Sequence, residues 1–181
     1  MIMYKTLALL ITSAALASAC TAHAKEDGSA ASPNDAQIAM IAVTADNVDI
    51  EAGKLAVQKS ENKAVKEFAE TMVRDHSAVN AKAIALATKL GVTPEESETS
   101  KSLKAGGEKM LAKLKAMKGS DFDKAYVDNE VSYHEAVASV LDNTLLPNTK
   151  NAELKSLLES ARPIFLSHLD HAKMLQQSLN K

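Results

Sequence analysis

Cysteine is almost missing. Cys20 is the single thiol in 181 residues, so no disulfide can form within the chain, and no thiol nucleophile is available further along it. Tryptophan is absent, and three Phe and three Tyr make up all the aromatics, which leaves little on which bases could stack. Neither sign of charge dominates: 21 Lys and Arg face 23 Asp and Glu, with no basic stripe for a phosphate backbone. Both observations argue against nucleic acid as a partner. Glycine and proline are scarce, at six and four residues, and they punctuate apolar segments rather than marking short strands. No Gly-rich phosphate loop and no Gly-x-Ser-x-Gly elbow occurs, and most Ser and Thr hydroxyls fall at expected caps and loops. No catalytic residue is assigned, and the balance favours a binding or interaction protein over an enzyme, with a Ser or Thr triad left open.

What is present begins with a leader. Met1 to Lys5 supplies a positive start and Thr6 to Ala19 a short Ala/Leu-rich run, the pattern of an export signal. That run is shorter than the roughly 20 residues a bilayer span needs. Two cleavage readings compete. Leu16-Ala17-Ser18-Ala19-Cys20 resembles a lipobox, although Ala17 stands where Leu is usual, and would remove residues 1–19 and put lipid on Cys20. Ala22-His23-Ala24 is a small-x-small site that would remove residues 1–24. The expected location is the periplasm, either free or as an outer-membrane lipoprotein, with membrane contact only through Cys20. Residues 20–34, with Gly28, Ser29, Ser32 and Pro33, read as a flexible linker, and 35–181 as one domain.

From Asp35 onward the apolar spacing is helical throughout. The first helix is expected from Asp35 to Lys59, with Ile38, Ile41, Ala45, Val48, Ala52 and Ala56 on one face. The second runs from Asn62, as N-cap, to Gly91, with Val65, Phe68, Met72, Val79, Ala83, Leu86 and Leu90 as its stripe. Thr93-Pro94-Glu95-Glu96 has the form of a capping box opening a short helix, which Gly106-Gly107 is expected to interrupt and Gly119 to stop. Ser120 to Asp123 repeats the capping pattern and opens a third long helix, through Phe122, Tyr126, Val131, Val137 and Leu145, that should end before Pro147. The last helix follows Asn151 through Leu154, Leu158, Ala161, Phe165, Ala172, Leu175 and Leu179, with Pro163 expected to kink it. The segment Val92 to Gly119 suits the one long connection of ferritin-like topologies better than the short loops of an up-down-up-down bundle. The expected architecture is all-α: a ferritin-like antiparallel four-helix bundle with a helical crossover between the second and third long helices.

Each long helix carries one metal-capable side chain on its apolar stripe near mid-length: Asp49, His76, His134 and His168. Antiparallel packing brings helix middles together, so the four should share a layer. Burying unpaired ionisable groups costs several kcal/mol each unless they pair or bind an ion. Three neutral imidazoles and a carboxylate satisfy a transition metal such as zinc, copper or iron. The alternative is a structural polar layer whose members hydrogen-bond to one another and to water. Glu130, four residues before His134, and His171, three after His168, are further metal candidates. Asp75 and Asp170 adjoin His76 and His171 and so point about 100° away, as solvated or supporting groups. Met72 and Tyr126 read as core.

Asp49-Ile-Glu-Ala-Gly-Lys-Leu-Ala56, Ala64-Val-Lys-Glu-Phe-Ala-Glu-Thr-Met-Val-Arg-Asp-His-Ser77, Phe122-Asp-Lys-Ala-Tyr126 and His168 before a closing apolar helix resemble the bacterial family known as domain of unknown function 4142. The resemblance runs from about Ala36 to Leu179 and implies a ferritin-like fold on an exported protein, often a lipoprotein. It points to His76, His134 and His168, with Asp49 where the family more often has Glu. It implies no reaction. Di-iron ferritins pair each site histidine with a Glu three residues earlier, whereas Val73 and Val131 stand there in this chain. A histidine-rich, carboxylate-poor site suits a single ion better than ferroxidase chemistry.

Overall fold

The structure is a computed structural model that describes residues 32–181; the leader, both cleavage readings, Cys20 and residues 20–31 lie outside the described residues. Six helical elements follow: α1 (Asp35–Lys59), α2 (Lys63–Leu90), α3 (Glu98–Ala116), α4 (Gly119–Val140), a π-helical turn (Leu141–Leu145) continuing into α5 (Leu146–Asn148), and α6 (Ala152–Leu179). No strand occurs among the described residues.

The ends of α1, α2 and α6 follow capping chemistry. The Asn34 carboxamide accepts from the Gln37 backbone N–H while the Gln37 side chain accepts from Asn34 N–H, closing a capping box at the start of α1. Asn62 and Asn151 cap α2 and α6 in the same sense, each accepting two first-turn N–H groups. Gly91, at φ +64°, ends α2 in the left-handed conformation that favours glycine.

The middle of the chain corrects the sequence reading at four places. Thr93 and Pro94 do not open α3. Glu95 N–H instead bonds the Ala36 carbonyl, tying the connection to the first turn of α1, and Ser97 is the cap. Gly106-Gly107 does not break α3 either, because Gly107 is where α3 lies against α1: a Cβ there would stand 2.7 and 2.8 Å from the Val48 methyl carbons. Finally, α4 begins at Gly119 rather than Ser120, with no side-chain cap, and helix continues past Pro147. Leu146 N–H reaches the Leu141 carbonyl five residues back, so the wider π turn carries the helix into the proline-containing segment. Pro163 likewise sits inside α6 without dividing it.

Side-chain pairs give the helix directions. Asn47 meets Asn80 while Gly53 lies against Ala69 and Val73, so α1 and α2 are antiparallel. Asp142 with Arg162 and Asp128 with Gln176 make the chain through α4 and its π turn antiparallel to α6. Tyr133 bonds the Ala45 carbonyl and Lys59 lies over the Phe122 ring, so α1 opposes α4 as well. The order is up, down, down, up, and the long connection holding α3 returns the chain to the end where α2 began. At the other end, the Asp35 carboxylate accepts from Lys150 and Asn151 N–H at 2.8 Å each, fastening the starts of α1 and α6 together.

The core falls into two apolar halves. One gathers Phe68, Met72, Phe122, Tyr126, Val127 and Leu175; the other gathers Ile38, Ile41, Val79, Leu141, Leu158 and Phe165. Along every long helix the switch from one half to the other occurs at the ionisable residues, so the bundle has a polar waist.

Candidate metal centre

The waist is built from one or two turns of each long helix. Asp46 and Asp49 are one turn apart on α1, His76 is on α2, Glu130 and His134 are one turn apart on α4, and His168 is on α6. None of the six is more than 4% exposed. The ring centroids of His76, His134 and His168 form a near-equilateral triangle with sides of 5.6, 5.2 and 5.6 Å. One donor atom from each ring lies within 4.8 Å of the others. Tetrahedral bonds of about 2.1 Å set ligand atoms about 3.4 Å apart, so sharing an ion calls for donor atoms to close in by at most about 1.4 Å. Phe165 stacks face to face on His76, with centroids 5.0 Å apart and planes 4° from parallel, and so fixes that ring's orientation.

Each imidazole has one nitrogen held and one left over. His76 Nδ1 lies 2.8 Å from Asp46 Oδ1, His134 Nδ1 is 3.0 Å from the Glu130 backbone carbonyl, and His168 Nε2 is 3.0 Å from Asp75 Oδ2. The other nitrogens, Nε2 of His76, Nε2 of His134 and Nδ1 of His168, are buried without a hydrogen-bond partner. His76 Nε2 does approach Asp49 Oδ2 at 2.7 Å, but out of line for a hydrogen bond, so the contact is one of charge. Asp49 Oδ2 is also 3.5 Å from His134 Nε2. Carboxylates and carbonyls that orient the far side of an imidazole are what metal-binding histidines ordinarily have behind them.

The electrostatics divide the rings. Burial works against charge on His76, but Asp49 and then Asp46 outweigh it and hold its pKa up to about 10. Burial lowers His134 despite the pull of Asp49, and takes His168 down to about 4 despite its bond to Asp75. Burial would raise Asp49, yet His76 and His134 overcome it and keep that carboxyl below the ordinary range. Glu130 has burial and the Asp49 charge both against its ionisation and is pushed well up. At neutral pH the layer therefore holds an Asp49 carboxylate against a His76 imidazolium, with His134 and His168 neutral.

The structure brings together Asp49, His76, His134 and His168, and adds Glu130. It does not bring in His171, which is exposed and packs edge-on against Phe68 with ring centroids 5.0 Å apart. A position three residues after His168 turns too far around α6 to reach the waist. Sequence reasoning missed Asp46. The buried side of α1 runs through Asp46, Asp49 and Gly53, while Ala45 and Val48 are only partly buried, Val48 facing α3. The signal available was an Asp-x-x-Asp spacing in an otherwise apolar helix.

The model of the family described as domain of unknown function 4142 matches residues 20–175. The chain belongs to that family. In this member of domain of unknown function 4142, adjacent Asp75 and His76 serve two different rings, His76 by entering the waist and Asp75 by holding His168 from the rim. A solved structure titled "CopM in the Cu(II)-bound form" is similar in fold, with a TM-score of 0.64 at 16% identity, covering 81% of this chain and 98% of that one. No curated protein matches the chain. No helix among the described residues is long and apolar enough to cross a membrane.

Proposed function

We propose that the chain is a metal-handling protein of the bacterial envelope that binds a transition-metal ion at the waist through His76, His134 and His168, with Asp49 as the charge-balancing fourth group. One observation carries this reading: three rings from three helices each have one nitrogen fixed by an acceptor and the other buried without a hydrogen-bond partner, and one donor atom from each ring lies within 4.8 Å of the others. Nitrogen donors of this kind suit copper and zinc better than harder ions. The Cu(II)-bound state of a protein with similar fold favours testing copper first. A purely structural layer draws support from His76, which Asp46 holds by a hydrogen bond and Asp49 by charge. It leaves His134 Nε2 and His168 Nδ1 at a cost of about 1–3 kcal/mol each with nothing gained.

The test is elemental analysis of protein without a polyhistidine tag after exposure to copper or zinc. Wild type is expected to retain about one equivalent or more, and the His76→Ala, His168→Ala double variant to lose the tightly held ion. Less than about a tenth of an equivalent in both would sink the reading. Export is part of the same proposal, and the intact mass of the mature chain separates its two forms: diacylglycerol on Cys20, or a free terminus at Lys25.

A further inference from the structure

On the Tyr126 side of the three imidazoles the waist holds a second set of unanswered polar atoms. Glu130 is 1% exposed, and neither of its carboxyl oxygens has a hydrogen-bond partner; both oxygens of Asp49 are in the same condition. Asp49, Glu130 and His134 each offer a donor atom within 4.8 Å of the other two. Tyr126 lies one turn before Glu130 on the same side of α4, is fully buried, and its hydroxyl is also unpartnered. Burial first, and then the Glu130 and Asp49 carboxyls, push that phenol up, so both carboxyls lie near it. Two carboxyls this close share a site only while one stays neutral or a cation lies between them, and a buried hydroxyl without a partner is destabilising. A cation between them answers both difficulties.

We propose that Asp49 and Glu130 hold a second cation beside the one bound by the three histidines, with Asp49 bridging the two ions and the Tyr126 hydroxyl turned towards the second. His134 serves only the first ion, because its Nδ1 is committed to the Glu130 carbonyl and the remaining nitrogen has one lone pair to give. The second position is thus built from oxygen, whereas the first is built mainly from nitrogen. It accepts divalent first-row ions, including harder ones than the imidazole site prefers. The inference rests on the three-histidine reading, but it fails separately.

Titration of the untagged, metal-stripped protein with Cu(II), followed by bound metal and by electron paramagnetic resonance, tests it. The first equivalent is expected to give the signal of an isolated Cu(II) ion. The second should also bind, and the signal should then broaden and fall as the two spins couple through Asp49. The Glu130→Gln variant, if its unfolding transition matches wild type, is expected to stop at one equivalent and keep the isolated signal. Saturation of wild type at one ion overturns the proposal, and so do two ions with simply additive signals, which place the second elsewhere, such as at exposed His171. These wild-type outcomes decide the matter even if the variant does not fold. Failure of wild type to bind any ion would count against the three-histidine site instead.

Discussion

Asp75 shows how much of a buried site depends on residues outside it. Its carboxylate, half-exposed at the rim and clamped by the Arg74 guanidinium at 2.7 and 3.1 Å, fixes the His168 ring so that Nδ1 faces inward. Removing such an orienting group from a metal-bound histidine typically costs 10–100-fold in affinity. Asp75→Ala is therefore expected to weaken copper or zinc binding by about 10- to 100-fold without abolishing it, as measured by competition with a metal-binding dye. His76 sets the pH dependence. Its folded-state pKa, held near 10 by Asp49 and Asp46 against burial, means that an ion arriving at neutral pH must displace a proton. Affinity should rise by about tenfold per pH unit through neutrality and level off near pH 10, where that proton has already left. Calorimetric titration in two buffers of different ionisation enthalpy should show about one proton released per ion; release of none would contradict the assignment.

At the level of elements, α3 explains why adjacent glycines misled the reading of the sequence. Gly106 and Gly107 look alike as helix breakers, yet helix continues through both, and their surroundings differ completely. A Cβ at Gly106 meets nothing within 4 Å, whereas one at Gly107 meets both Val48 methyl carbons at under 3 Å. Gly106→Ala should raise stability by about 1 kcal/mol through helix propensity. Gly107→Ala should lower it by about 1–2 kcal/mol, because stiff Val48 has little freedom to retreat. Urea unfolding of the two variants checks both signs. The distinction is invisible in sequence because it depends on which neighbour each helix face meets. The Asn caps and Gly91, by contrast, were legible because their chemistry is local. Pro147 misled for the opposite reason: the π turn ahead of it is a response of the whole helix that no single residue announces.

Across the molecule, the polar waist was readable from periodicity and antiparallel packing alone, since a histidine at the middle of each of three stripes has only one place to go. What periodicity could not supply was the far side of each ring. Asp46 shares the buried side of α1 with Asp49, and Asp75 reaches across from α2 to α6, so their roles exist only once the helices are packed. Those same apolar halves above and below the waist leave its six ionisable residues at most 4% exposed. An occupant so enclosed can leave only when helices part, so its escape is governed by breathing of the fold rather than by whatever competes for it outside. Loaded protein mixed with increasing excess of a strong chelator should surrender copper or zinc at a rate that soon becomes independent of chelator concentration. A rate climbing in step with chelator would mean the ion is reached directly from solvent. For the proposed ion, such enclosure favours slow release over rapid exchange.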